Sequence, residues 1–599
     1  MSDKLGQVRA LMQEENIQAY FLPNNDFHNS EYLGHHDKRM TFISGFKGSN
    51  GQIVITQEQA LLWTDGRYWL AAPKELYQGW TMMKQGHGNT TYFEWITQNL
   101  PSGSVIGFDP ALINADAASN RKKYFEEKGY SFKPILRNLV NEVWDTRPSI
   151  SQEKVFIHDV KYAGATVDEK VKSLYNVLKT KESQNYFTSV LDEIAWILNL
   201  RGKDIDYNPL FFSYLFIKAA SETDYQLSLF INSDKVDGIR DYLSENKIEV
   251  FPYEAIGNYL ESIEDGIVID QSELNYSLFL KIKKPLNNSS LISKLKAIKN
   301  PREQQGFRES HIRDAVAMAK YFSWLENQLE IGADLTEWTA AEQLDKYRAA
   351  EDLNQGLSFE NISSVGPNAA VIHYAPTAET SSKVVKDQIY LLDSGGQYLD
   401  GTIDTTRTLH FGNPTEREKE CFTRVLLGNL DIERVTWPQS SRLAGTDFDI
   451  LARRRLWQIG LDFCHATGHG VGYFLNVHEG PQCLCKGSSE VFELGMNITN
   501  EPGYYEEGHF GIRIENVLLI VKNDQIPDYL SFENVTMVPY DKNLLCMRLL
   551  DAEDIQYIDA YHDKIWNTLS PILEARNENL ALAWLRKATS PITASPINA

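Results

Sequence analysis

Two carboxylates set inside apolar, strand-like runs constrain this chain more than any other feature. Asp393 closes the run Ile389–Leu392, and Glu515 interrupts FGIRIENVLLIV. A carboxylate on a buried strand costs roughly several kcal/mol unless a cation or a proton neutralises it. Residues 388–411, QIYLLDSGGQYLDGTIDTTRTLHF, read as strand, glycine turn, strand, with Asp393 and Asp404 on the two arms. Either aspartate alone reads as an ordinary turn residue. For Glu515 the simple partner is Arg513, two residues away on the same strand face. In TGHGVG, glycines on both sides let the backbone approach closely and aim His469 inward. Glu501 stands between the strand-like GMNITN and the turn pair Pro502-Gly503. The glycine spacing does not match a dinucleotide fingerprint.

Taken together, Asp393, Asp404, His469, Glu501 and Glu515 supply carboxylates and one imidazole, with no thiolate. That donor set suits Mn²⁺ or Mg²⁺ better than a structural zinc. One dication would leave such a buried site negative. Two would neutralise it and leave room for a bridging hydroxide.

The chain has 599 residues, enough for three or four domains of roughly 100–200 residues each. Strand and helix patterns alternate to about residue 150: a helix over 3–16, a strand over Ile17–Leu22, then short strands at Thr41–Phe46, Gly51–Thr56 and Ala60–Thr64. AYFLPNNDFHNSEYL near residue 19 is echoed by NYFTSVLDEIAWILNL near 185. The echo predicts a duplicated α/β domain over 151–296, with 280–300 as linker. Asn300, Pro301 and Glu303 then open a helix as cap, first-turn proline and first-turn acid. Further helices are expected near Thr336, over 447–459 and over 552–574, with strands between 461 and 520. The tail TSPITASPINA reads as disordered.

The formal charge of −22 excludes an extended nucleic-acid surface and electrostatic binding to anionic membranes. The N-terminal residues have no apolar signal-peptide core, and no run approaches the ~20 apolar residues of a membrane helix. Cys421, Cys464, Cys483, Cys485 and Cys546 read as free thiols in a reducing compartment, so the expected location is cytoplasmic.

The order D…D…H…E…E, in the segments ISSVGPNAAVIHYAP (362–376), LLDSGGQYLDGTIDTTRTLHFG (391–412), HATGHGVGYFLNVHEGP (465–481), TNEPGYYEEGHFGIRIENV (499–517) and WTDGRYWL (63–70), resembles the creatinase/methionine aminopeptidase or "pita-bread" superfamily. More closely, the chain is similar to the three-domain cytosolic Xaa-Pro aminopeptidase (aminopeptidase P) family. The resemblance implies an α/β (α+β) fold. Two creatinase-N-like α/β domains (1–150 and 151–296) would precede a pita-bread metallopeptidase domain (297–540) and a C-terminal extension (541–599).

It also implies a metal-dependent aminopeptidase that hydrolyses the N-terminal Xaa-Pro bond of peptides with a two-metal-activated hydroxide. Prolidase and a non-catalytic peptide-binding module are the alternatives. Two Mn²⁺ per subunit are implied, with Co²⁺ or Zn²⁺ as substitutes. Asp393 would bind one ion, Asp404 and Glu515 would bridge both, and His469 and Glu501 would complete the other. His478 and His373 would be catalytic. Arg67, His373, His465, His469, His478, Glu501 and Arg513 would meet the substrate. An Xaa-Pro bond has no N–H, so a ring pocket is expected, with Tyr504, Tyr505, His373 and His465 as its walls. A homodimer follows from the resemblance alone. Gly396 stands where the family usually has Ala, and Asn500 where it usually has Asp. The first would only loosen a turn. The second would remove a charge beside Glu501 and alter the surroundings of the metal ligands.

Overall fold

The computed structural model describes residues 3–592 except His87 and Glu182. The chain divides into two compact units, 1–160 with 165–296 and 161–164 with 297–599.

The first unit holds two sheets of the same plan. In one, β1 (Ala19–Pro23), β2 (Gln52–Thr56), β3 (Ala60–Thr64), β4 (Trp80–Lys84), β5 (Val105–Phe108) and β6 (Ser131–Pro134) lie in the order β4-β3-β2-β1-β5-β6. In the other, β7 (Asn185–Thr188), β8 (Tyr214–Ala219), β9 (Tyr225–Phe230), β10 (Ile248–Phe251), β11 (Ile267–Ile269) and β12 (Pro285–Asn287) lie as β10-β9-β8-β7-β11-β12. Strand directions match pair by pair: β1–β2 and β7–β8 are antiparallel, and β1–β5 and β7–β11 are parallel. The echoed segments AYFL and NYFT are thus the equivalent central strands β1 and β7. Both are buried along their length, and apolar clusters cover the two faces of the first sheet.

Two expectations fail here. Thr41–Phe46 is not a strand; Arg39–Ser44 is a helix stopped by Gly45 at φ 86°. Arg39, Met40, Ile43 and Ser44 are its buried positions, a helical spacing that the bulky β-formers Thr41, Phe42 and Ile43 mask. The segment 280–300 is not a plain linker either, because it supplies edge strand β12 and the helix Leu291–Ala297.

In the second unit, Asn300 caps the helix Pro301–Glu330 in a reciprocal capping box with Glu303. This helix, Glu416–Glu433, Gly445–Trp457 and Ala552–Ala575 pack around one core with antiparallel sheets. The strands Ile362–Val365, Tyr390–Ser394 and Thr405–Leu409 form one sheet, and Asn497–Asn500 pairs with Asn516–Lys522 in another. The helix Glu416–Glu433, capped by Thr415 and Glu418, and the last helix Asn579–Thr589 went unread in the sequence. Thr589 ends that helix, and the Ile592 amide donates to Asp559, so the start of the polar tail is ordered. The rest of the tail lies outside the described residues. Cys483 and Cys485, expected as thiols, are joined in a disulfide with Cα atoms 5.4 Å apart. No helix among the described residues is long and apolar enough to cross a membrane.

Candidate metal centre

The pairing of Tyr390–Ser394 with Thr405–Leu409 sets Asp393 opposite Thr406. Asp404 immediately precedes the second strand. Gly395 permits the tight crossing between these arms, since a Cβ there would lie 1.9 Å from the Ile403 carbonyl oxygen. His469 lies on the short strand Gly468–Gly470, and Gly468 is equally constrained: its Cβ would meet the Thr499 carbonyl oxygen at 1.8 Å. The Glu501 amide donates to the Thr467 carbonyl, which ties the last strand residues to the His469 strand. Glu515 precedes the strand Asn516–Lys522, and its amide donates to the Thr406 carbonyl.

These local devices bring all five candidate ligands together. His469 Nε2 lies 3.4 Å from Asp404 Oδ2 and 3.5 Å from Glu501 Oε1. Donor atoms of Asp393, Asp404 and Glu515 lie within 4.8 Å of one another, as do those of His469, Glu501 and Glu515, and those of Asp404, His469 and His478. His469 Nδ1 meets the Gly470 carbonyl at 2.8 Å, so Nδ1 carries a proton and Nε2 is the ring nitrogen that faces the acids.

The electrostatics are those of crowded, buried anions. Burial, then repulsion from Asp404, Glu501 and Asp393, pushes the Glu515 carboxyl well above the usual range, and only the Thr406 hydroxyl at 2.7 Å opposes this. Burial pushes Glu501 up to about 7, despite the attraction of His469. For His469, burial disfavours the cation, but Asp404 and Glu501 outweigh it and raise the imidazole to about 9. Burial also raises Asp393 against the pull of Arg513.

Arg513 does not pair with Glu515, the partner expected for it. Its Nη2 donates to Asp393 Oδ2 at 2.7 Å, and its Nη1 to the Tyr505 hydroxyl at 2.7 Å. Asp393 Oδ1 remains buried with no hydrogen-bond partner. An orphaned carboxylate oxygen facing further carboxylates fits a cation, and the oxygen-rich donor set fits hard divalent ions.

The remaining expected residues divide. The His478 ring lies edge-on to His469, with centroids 4.4 Å apart. His465 Nε2 meets the Tyr505 hydroxyl at 2.9 Å, so His465, Tyr505, Arg513 and Asp393 form one chain of contacts. His373 is half-buried in the turn after Gly366–Ala370 and outside the metal groups; the preceding Ile372 carbonyl accepts from Arg513. Arg67 belongs to the first unit, where its guanidinium is held by Asp65 at 2.8 Å. Tyr504 turns away from Tyr505, as alternate strand residues must, and its hydroxyl meets Arg417 and Glu506.

Asn500 also faces away from the ligands. Its Nδ2 donates to the Asn429 carbonyl, and its own carbonyl accepts from Asn429 Nδ2. A side chain that donates to a carbonyl suits that place, and the amide leaves the metal ligands untouched. At Gly396 a methyl group would press on the Tyr398 ring at 3.0 Å. Thr406 was missed in the sequence, although its place opposite Asp393 in a two-strand hairpin would have marked it.

The sequence pattern of metallopeptidase family M24 matches residues 305–522. The creatinase/prolidase N-terminal domain matches twice, at 4–140 and 146–303, and the C-terminal region of M24 peptidases matches 528–592. The probable Xaa-Pro aminopeptidase P of Laccaria bicolor is 42% identical, covering 99% of this chain and 94% of its own. This chain belongs to metallopeptidase family M24. The Xaa-Pro aminopeptidase ApepP of Drosophila melanogaster is also 42% identical, covering 96% of each chain. Among solved structures, the X-prolyl aminopeptidase of Caenorhabditis elegans, described as a cytosolic enzyme with a di-nuclear active site, superposes with a TM-score of 0.95 at 36% identity, covering 98% of this chain and 99% of that one. Its match extends across both creatinase-like domains and the M24 domain, the fold that the motifs imply.

Proposed function

We infer that this M24 peptidase is a cytoplasmic Xaa-Pro aminopeptidase that removes the N-terminal residue from peptides with proline in second place. The observation that carries this reading is the convergence of Asp393, Asp404, His469, Glu501 and Glu515, with Asp393 Oδ1 buried and unpartnered. Two divalent ions, once bound, supply an acidified water as nucleophile and polarise the scissile carbonyl. Asp393 would hold one ion, Asp404 and Glu515 would hold both, and His469 and Glu501 would hold the other. Mn²⁺ is the proposed metal, because carboxylates dominate the donors and one imidazole joins them.

The chain's own residues do the rest. Arg513 fixes Asp393 in place and keeps one of its oxygens for an ion. His478, edge-on to His469, hydrogen-bonds the substrate and passes a proton to the proline nitrogen as the C–N bond breaks. His373 stabilises the tetrahedral carbonyl oxygen. An Xaa-Pro bond has no N–H, so a ring pocket must replace main-chain recognition, and Tyr505 and His465 are its proposed walls. Arg67 is proposed as a further substrate contact and the enzyme as a homodimer; both proposals rest on the family.

The test is an Xaa-Pro-Pro peptide and an Xaa-Pro dipeptide assayed side by side. Release of the first residue from the tripeptide, abolished by EDTA and restored by Mn²⁺, supports the reading. Preference for the dipeptide, or indifference to EDTA, ends it.

A further inference from the structure

One strand of the metal centre has two faces, and only one of them faces the ligands. Thr406 turns its hydroxyl to the Glu515 carboxylate at 2.7 Å. Arg407, the next residue, therefore points the opposite way. It is 1% exposed, and burying a guanidinium is costly unless its donors are satisfied.

Those donors are spent on two carbonyls of the site and on Asn516, Val538 and Tyr561. Nη1 donates to the Thr406 carbonyl at 2.9 Å and to the Glu515 carbonyl at 2.7 Å. Nη2 donates to Asn516 Oδ1 at 2.8 Å and to the Tyr561 hydroxyl at 2.9 Å. Nε and Nη2 both reach the Val538 carbonyl. The guanidinium stacks on Tyr540, which itself stacks on Tyr561. Tyr561 lies on the helix Ala552–Ala575, and its hydroxyl donates to the Thr536 and Val538 carbonyls.

We propose that Arg407 and Tyr561 are positioning residues through which the C-terminal helix sets the grip of Glu515 on the metal pair. The fork fixes the peptide planes of Thr406 and Glu515, and so the direction in which the Thr406 hydroxyl and the Glu515 carboxylate leave the chain. Tyr561 locks the fork from the far side. A lysine could supply the charge but not the parallel donors. The proposal rests on the metal-centre reading above, and its test reads metal binding apart from catalysis.

EDTA-stripped wild type, Arg407→Lys, Tyr561→Phe and Leu569→Ala are titrated with Mn²⁺ by calorimetry. Melting temperatures of the stripped proteins, and kcat and KM at saturating Mn²⁺, are recorded alongside. Leu569 is fully buried on the same helix and controls for lost stability alone. The expected result is Mn²⁺ binding weakened about 10–100-fold in Arg407→Lys and about 10-fold in Tyr561→Phe, as for other groups that orient a ligand. Leu569→Ala should melt earlier yet bind Mn²⁺ as wild type does, and raised Mn²⁺ should restore kcat in Tyr561→Phe with KM unchanged. Wild-type affinity in both clamp variants overturns the proposal and leaves the dinuclear centre standing. So does equal weakening in Leu569→Ala at the same loss of melting temperature. A wild type that takes up no Mn²⁺ overturns the metal centre itself.

Discussion

Buried acids occur in both units, and Glu193 and Glu273 of the first differ from the acids around His469 in the second. In the first unit, burial raises Glu193 to about 8 and Glu273 to about 7. Glu193 accepts from the Thr188 and Ser290 hydroxyls, and Glu273 accepts from Asn29 Nδ2 at 3.0 Å. Around His469 the carboxylates are raised too, but Asp393 Oδ1 has no partner, and Glu515 is repelled by three other acids. A raised acid with its oxygens satisfied is a packed polar group. Raised acids that face one another with lone pairs unspent form a place for cations.

The strongest attempt to break this contrast neutralises a single carboxylate in each setting. Asp393→Asn or Glu515→Gln should lower kcat/KM by at least about 10³-fold with loss of Mn²⁺ uptake, an effect on the scale of removing an electrostatic stabiliser. Glu193→Gln should leave both within about twofold. An active Glu515→Gln enzyme, or an inactive Glu193→Gln enzyme that still folds, would erase the distinction.

His478→Ala should lower kcat about 10²–10⁴-fold, as expected for a lost proton donor, while Mn²⁺ stoichiometry stays at the wild-type value. A parallel loss of metal would make His478 a ligand instead.

The pH dependence of stability sharpens the same comparison. Glu193, Glu273 and Glu501 have folded values above the unfolded value of about 4.3. Their contribution is complete below that value and is lost as pH rises through about 7 to 8. His469 adds a loss between its unfolded value of about 6.5 and about 9. The melting temperature of the stripped protein should therefore fall from pH 5 to pH 9. Mn²⁺ should offset the Glu501 and His469 part, and Glu193→Gln should flatten only the remainder. A melting temperature that rises with pH in the stripped protein would contradict the assignment.

The smallest effect is expected at Asn500. Asn500→Asp removes the donor to the Asn429 carbonyl and sets a carboxylate against it, a cost of about 1–3 kcal/mol in a urea titration. Mn²⁺ affinity should change little, because the side chain points toward helix Glu416–Glu433. A large loss of Mn²⁺ affinity would put Asn500 back beside the ligands.

Much of this molecule is legible without coordinates. The capping box at Asn300, the echo between AYFL and NYFT, and the five donors in strand-like contexts are all short-range signals, carried by a few neighbouring residues. Their types alone point to divalent cations. The misread segments are those where local preference and burial disagree. Thr41, Phe42 and Ile43 favour strand individually, yet Met40, Ile43 and Ser44 bury as a helix ended by Gly45. Of two adjacent tyrosines, only Tyr505 meets Arg513.

What the sequence by itself determined is the inventory of charge and the turns that carry it. Which charges meet was decided only in three dimensions. Arg513 has Glu515 two residues away and binds Asp393, 120 positions distant in the chain. Strand alternation aims side chains to one face or the other, but the register of remote strands decides what they face. That register is set by the packing of the whole core, which no local stretch of residues encodes.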